Sequence, residues 1–297
     1  QRPLLTLKYV CRDVPLGEEL RRAFSPEMQA VWASLRPQGT IDQLNLRLRY
    51  QPLLDKMEID AVAVKWPEQH SRDGQPISLL PEAFPYRLNQ VQGEVRYRDG
   101  QVDFRSLSAV HGNSRVTASG FCQFGPDGSW RLQFSDLNTQ GLAVDRDLIS
   151  ALPEELAAGI APMNIQGPLT VSGAVEFRQG PHAEDSVSSD WDLSFDLENG
   201  KVNCGIVLNN IHGAVRLIGS NNAQGCHSRG ELSLDSIMYQ GFQFTGVTGP
   251  VWIDRQRVAL GAWADQPQRG QQPRRLRAQV LGGSVAGDVH VSLEDDK

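Results

Sequence analysis

The dominant pattern along the chain is alternation. Over residues 191–197, Trp191, Leu193, Phe195 and Leu197 fall on one side, and Asp192, Ser194 and Asp196 on the other. A period of two is the mark of a strand with one apolar and one polar face. The same pattern recurs at Val116, Ala118, Gly120, Cys122 and Phe124, and at Trp130, Leu132 and Phe134. It returns at Leu169, Val171, Gly173, Val175 and Phe177, and at Val289, Val291 and Leu293. Between these runs lie Asp99-Gly100, Gly125-Pro126-Asp127-Gly128 and Asn199-Gly200. Such pairs accept positive φ and read as hairpin turns, so neighbouring strands are expected to be antiparallel. Two segments carry helical spacing instead. One lies near 18–35 (Leu20, Phe24, Met28, Val31, Leu35), the other near 146–161 (Leu148, Ile149, Leu152, Leu156, Ile160). Asp145 and Asp147 sit where a helix N-terminus favours a carboxylate.

The sequence also matches itself. At an offset of 128, Leu20 meets Leu148, Ala23 meets Ala151, Glu27 meets Glu155, Gln38 meets Gln166 and Gly39 meets Gly167, with no gap. At an offset of 120, LNQVQGEVRY (88–97) resembles LNNIHGAVRL (208–217), and a weaker third copy begins at Val247. The repeating unit is several antiparallel strands plus one short helical segment. A sheet with one apolar face must bury it as a barrel, a sandwich or a trough stacked unit on unit. The expected fold is therefore mainly β, with repeated antiparallel modules forming a curled groove or a sandwich-like stack, and two short helices. The expected modules are 1–136, including the helix near 18–35, and 137–297, including the helix near 146–161.

Composition narrows the functional classes. The chain has 297 residues, a formal net charge of -6 and 22% charged residues with no block of like charge, which argues against a nucleic-acid partner. No apolar run reaches the length of a membrane-spanning helix. The chain starts QRPLLTLKYV, inside a strand-like run without a signal pattern. It reads as a fragment, with any targeting or anchor segment upstream. The four cysteines, Cys11, Cys122, Cys204 and Cys226, form no CxxC pair. Cys204 and Cys226 are read either as a bridge in an oxidising compartment or as buried thiols. The six histidines show no zinc-ligand spacing, and GxSxG, GxGxxG and P-loop motifs are absent. Asp192, Asp196 and Glu198 read as a solvated strand face rather than a catalytic pair, and Trp130, Trp191, Trp252 and Trp263 as core or groove residues. No catalytic, metal or cofactor site is expected.

Three stretches resemble the AsmA-like family of Gram-negative envelope proteins, the TamB and YhdP group. They are the strand–turn–strand unit of residues 91–124, the linker LNTQGLAVDRDLISALPEEL (137–156), and RLRAQVLGGSVAGDVHVSL (275–293), which resembles the Gly-Gly strand pair of the C-terminal part of AsmA-like regions. The resemblance covers residues 80–293, and reaches the first eighty only through the internal repeat. It implies a β-groove with an apolar inside, a periplasmic location, and an inner-membrane anchor lying outside this chain. It further implies phospholipid acyl chains as ligand, a part in lipid transport or outer-membrane assembly and integrity, and assembly partners at that membrane. The groove candidates, taken as a set, are Val116, Ala118, Phe124, Trp130, Leu132, Phe134, Leu169, Val171, Val175, Phe177, Trp191, Leu193, Phe195, Leu197, Val289, Val291 and Leu293. The alternative is a closed β-sandwich serving adhesion or carbohydrate binding.

Overall fold

A computed structural model describes residues 4–292, apart from residues 25, 68, 70–73, 83, 153–156, 159, 183, 204 and 266–270. The chain is mainly β, and among the described residues seventeen strands belong to an antiparallel sheet that is not closed. It divides into two compact units: Gln1–Leu137 with Arg178–Asp185, and Asn138–Phe177 with Ser186–Lys297.

The first unit holds β1 (Leu5–Pro15), α1 (Glu18–Arg22), α2 (Pro26–Leu35), β2 (Thr40–Gln51), β3 (Lys56–Lys65), β4 (Ile77–Leu79), β5 (Leu88–Arg98), β6 (Gln101–His111), β7 (Ser114–Phe124) and most of β8 (Trp130–Leu142). Pairing follows the chain, except that β3 and the short β4 both pair with β5. The second unit holds α3 (Arg146–Ala151), most of β9 (Leu169–Gln179), β10 (Ser188–Asn203), β11 (Val207–Asn222), β12 (Gly225–Tyr239), β13 (Phe242–Asp254), β14 (Arg257–Leu260), β15 (Leu276–Val280), β16 (Gly283–Gly287) and β17 (Val289–Ser292). Here β10 to β13 form a meander, β13 pairs onward with both β14 and β15, and β14 and β15 pair with β17 and β16.

Each helical segment is interrupted where its spacing predicts one run, and Ala157, Ala158 and Ile160 are helical again. The segment near 18–35 is two helices, because Pro26 opens α2. A proline is well placed at a first helical position, where its missing N–H has no partner to lose, and would break a helix running through it. In the segment near 146–161, α3 ends at Ala151, and Leu152 is already extended (φ -74°, ψ 151°). Leu152 precedes Pro153, and the proline ring clashes with a helical conformation at the residue before it. The Asp145 side chain caps α3 by accepting the Leu148 N–H at 2.9 Å.

Both internal repeats are written into the backbone. Gly17 and Asp145, 128 residues apart, are the N-caps of α1 and α3. Arg36 and Asn164 share a left-handed conformation (φ 46° and 42°), as do Gly39 and Gly167 (φ 113° and 105°). Gln38 and Gln166 each make an isolated bridge, to Ser78 and to Lys201. At the other offset, Gln90 and Asn210 are left-handed (φ 51° and 48°), and Gly93 and Gly213 stand at φ 129° and 125°. Both strands shift register at these residues, as β-bulges do. The repeat is thus a repeat of irregularities as well as of strands.

Candidate functional site

Register, not chain position, assembles the candidate site. In the first unit it lines up Cys11, Leu44, Ala63, Val95, Phe104 and Gly120 across β1, β2, β3, β5, β6 and β7. A second row, two residues away along each strand, is Tyr9, Leu46, Ala61, Tyr97, Val102 and Cys122. Phe134 of β8 joins this face by ring contact with Phe104, centroids 5.4 Å apart. Alternation brings Leu132 and Trp130 with it, and likewise sets Val116, Ala118 and Phe124 beside Gly120 and Cys122 on β7. Gln179 accepts the Trp130 indole N–H at 2.6 Å.

The second unit has the same construction. One row runs Leu193, Leu217, Gly230, Val251, Leu260 and Val289 across β10, β11, β12, β13, β14 and β17. The next runs Trp191, Gly219, Ser228, Ile253, Val258 and Val291. Phe195 and Leu197 extend it toward Val215, Leu232, Leu234 and Val247. Glycine has a specific use here. A Cβ on Gly219 would lie 2.7 Å from Trp191 Cζ2, so only glycine lets the indole lie across β11 and donate to Ser228 Oγ at 3.2 Å. Phe104 sits over Gly120 of the first unit in the same way, with a Cβ there 3.0 Å from Phe104 Cζ.

On β9, Leu169 and Val171 are buried, with the Thr139 hydroxyl accepting the Val171 N–H at 3.0 Å; Val175 and Phe177 are half-buried. Leu293 lies outside the described residues, as does Cys204 of the possible Cys204–Cys226 bridge. Two tryptophans depart from the groove reading. Trp252 pairs with Arg229 and Ala259, on the opposite face, and donates to Asp254 at 2.6 Å. Trp263 is exposed beside His290, ring centroids 5.9 Å apart.

These faces are apolar but not sealed. Among the described residues no large side chain is fully buried. One cluster of buried residues, Ile211, Leu234, Val247 and Ala278, is made by strands of the second unit. On β1, Leu5, Leu7 and Tyr9 remain exposed. Burial in apolar surroundings pushes the Cys122 thiol up to about 11, so it stays protonated and acts as a small apolar group.

The opposite face is polar and ionic. Arg96 forks onto Asp60 (3.0 and 2.8 Å), and Arg216 onto Asp192 (2.8 and 2.7 Å). The two arginines are 120 residues apart, and each reaches diagonally to the preceding strand of its unit. Hydrogen bonding to the arginines holds both Asp60 and Asp192 below the usual carboxylate range.

Sequence reading missed the rows on β1, β2, β3, β5 and β6 of the first unit and on β11, β12, β13 and β14 of the second. The alternation of LNLRLRY in β2 was a usable signal for one of them. Among the described residues, no cluster of three metal-ligating side chains occurs, and no helix is long and apolar enough to cross a membrane. No family model, curated protein or solved structure matches the chain.

Proposed function

We propose that the apolar face of each unit is a non-enzymatic binding surface for phospholipid acyl chains, in a periplasmic envelope protein of the AsmA-like kind. The observation that carries this reading is the set of apolar rows, six strands wide, most of whose members are only half-buried, on a sheet that is not closed. A closed sandwich, the alternative, would seal large side chains between two layers; among the described residues Phe104, Ile211 and Val251 are buried, but no large side chain falls below 2% exposure.

The chemistry suits an acyl chain. Each methylene taken out of water contributes about 0.8 kcal/mol, so six covered methylenes contribute about 5 kcal/mol. The rows offer few polar groups to select one lipid over another, and a row unbroken from strand to strand lets a chain change position without crossing a polar barrier. The ion pairs keep the other face in water.

A fluorescent fatty-acyl probe titrated into the protein tests this. Saturable binding is expected, weakened at least about tenfold by Leu193→Glu or Phe195→Glu, because a charge in the row must be desolvated when the chain lies over it. Both positions are half-buried, so the variants are expected to keep the native circular dichroism spectrum. Unfolding by either substitution would mean that the rows are a sealed core, and the proposal would fall.

A further inference from the structure

One end of the second unit is built from turns without charge. The strand order brings three turns to it: the β10–β11 connection, the β12–β13 hairpin and the β15–β16 hairpin. The sequence runs that form them, 202–214, 236–250 and 278–287, contain no Asp, Glu, Lys or Arg, in a chain that is 22% charged. The β13–β14 turn at the opposite end of the same strands carries Asp254, Arg255 and Arg257. The uncharged end is apolar at its tips. Ile206 is 47% exposed, Val207 41%, Phe242 48% and Leu281 85%. Beneath them, Leu208 and Phe244 pack on the unit's main apolar cluster, so the tips continue the candidate face.

Leu281 identifies the tips as more than turn residues. It is held at φ 50°, a conformation disfavoured for leucine and well tolerated by asparagine. Fold stability alone favours Asn here, because a side chain so exposed gains almost nothing from burial. An apolar residue kept at a cost to the backbone, in water, has its use outside the folded chain.

We infer that this end of the second unit docks on a phospholipid bilayer, with Leu281, Phe242, Ile206 and Val207 entering the headgroup–acyl boundary. Absence of charge specifies the surface: attraction to anionic lipid needs Lys or Arg, so the tips suit a zwitterionic one. The inference goes beyond acyl binding by the face. It stands on exposure and charge at the tips, and rests on the acyl reading only in supplying a face for lipid to enter.

The test is flotation of the protein with phosphatidylcholine vesicles, comparing the native chain with Leu281→Asn and with Phe242→Ser/Leu281→Asn. Cosedimentation of the native chain is expected to be insensitive to salt between 50 and 500 mM, roughly the range over which charge attraction is screened. The single variant is expected to bind several-fold less, and the double at least about tenfold less. Leu281→Asn is also expected to melt no lower than the native chain. A Leu281→Trp variant is expected to be quenched by vesicles of brominated phosphatidylcholine beyond the quenching of the native tryptophans. Unchanged flotation of the double variant, or no added quenching at position 281, would overturn the docking. A fall in molar mass on substitution would also overturn it, assigning the tips to a second copy of this chain. Acyl-probe affinity in the same variants separates the two proposals: tip variants keep it, and row variants such as Leu193→Glu lose it.

Discussion

The two units hold the same kind of apolar face but finish it differently. In the first, the region after β3 is fastened by a buried ion pair. Lys65 Nζ donates to Asp42 Oδ1 at 2.7 Å, and the Trp66 N–H to Oδ2 at 2.8 Å. The separate strand β4 then supplies Ser78 as partner to Gln38. In the second, the residue 128 positions after Asp42 is the uncharged Thr170. No extra strand is needed there, because β10 continues past an irregularity at Gly200 and its own Lys201 meets Gln166. What both share is the bulge at Gly93 and Gly213, the left-handed residues before β2 and β9, and the diagonal arginine fork. The lesson is that the shape of the sheet is set by backbone irregularities common to both units, while loop chemistry is free to differ.

Breaking the difference should have the largest effect. Asp42→Ala takes the carboxylate away from a buried ammonium and is expected to cost about 3–5 kcal/mol. Thr170→Ala, its counterpart, is expected to cost under about 1 kcal/mol. Denaturant unfolding of the full chain compares the two, and Asp42→Ala/Lys65→Met should recover most of the loss, since the buried ammonium is then removed along with its carboxylate. Equal effects of Asp42→Ala and Thr170→Ala would show that the pair fastens nothing.

Breaking what is shared comes next. Gly93→Ala and Gly213→Ala are each expected to cost about 1–3 kcal/mol, because each glycine holds a positive φ against a neighbouring strand. Gly213→Ala should be the worse. Its Cβ would meet Leu234 Cα and Ser233 O at 2.6 Å, against 2.9 Å from Leu107 Cδ2 and Ser106 O at Gly93. Melting temperatures in that order support the account; a neutral Gly213→Ala would refute the shared bulge.

The smallest effect belongs to the arginine forks. Both guanidinium groups lie in solvent, so Arg96→Ala and Arg216→Ala are each expected to lower the melting temperature only slightly. The pH dependence identifies the cause. Asp60 and Asp192 are held below their ordinary range, so their contribution is complete above about pH 4 and is lost as pH falls through the depressed native values. The stability gap between native and variant should stay constant from pH 7 to pH 5 and close below about pH 4. A gap that persists at pH 2 would assign the loss to the packing of the arginine stem.

Much of the sheet was legible because alternation is a local property. The faces of β7, β8 and β10 follow from side-chain period alone, and Asp99-Gly100 is a hairpin turn as expected, whereas Asn199-Gly200 is an irregularity inside β10 rather than the turn its sequence suggests. What was not legible depends on register. Nothing in the sequence near Leu193 says that its row ends at Val289, nearly a hundred residues on. Nor does anything near Trp252 say that its strand turns that indole to the polar face, since slipping a strand by one residue exchanges the two faces. The left-handed Gln90 and Asn210 were hidden for another reason. Their conformation is imposed by the bulge and its glycine, not by their own preference. The division of the first helical segment could have been read from Pro26, whose effect on a preceding turn is local and strong.

The most direct test of the central claim is native mass spectrometry of the protein purified from a bacterial periplasm, with lipid extraction of the same sample. The account expects phospholipid to accompany the chain and to be lost in Leu193→Glu and Phe195→Glu variants that remain folded. A lipid-free chain, or lipid that persists when the rows are charged, would contradict it.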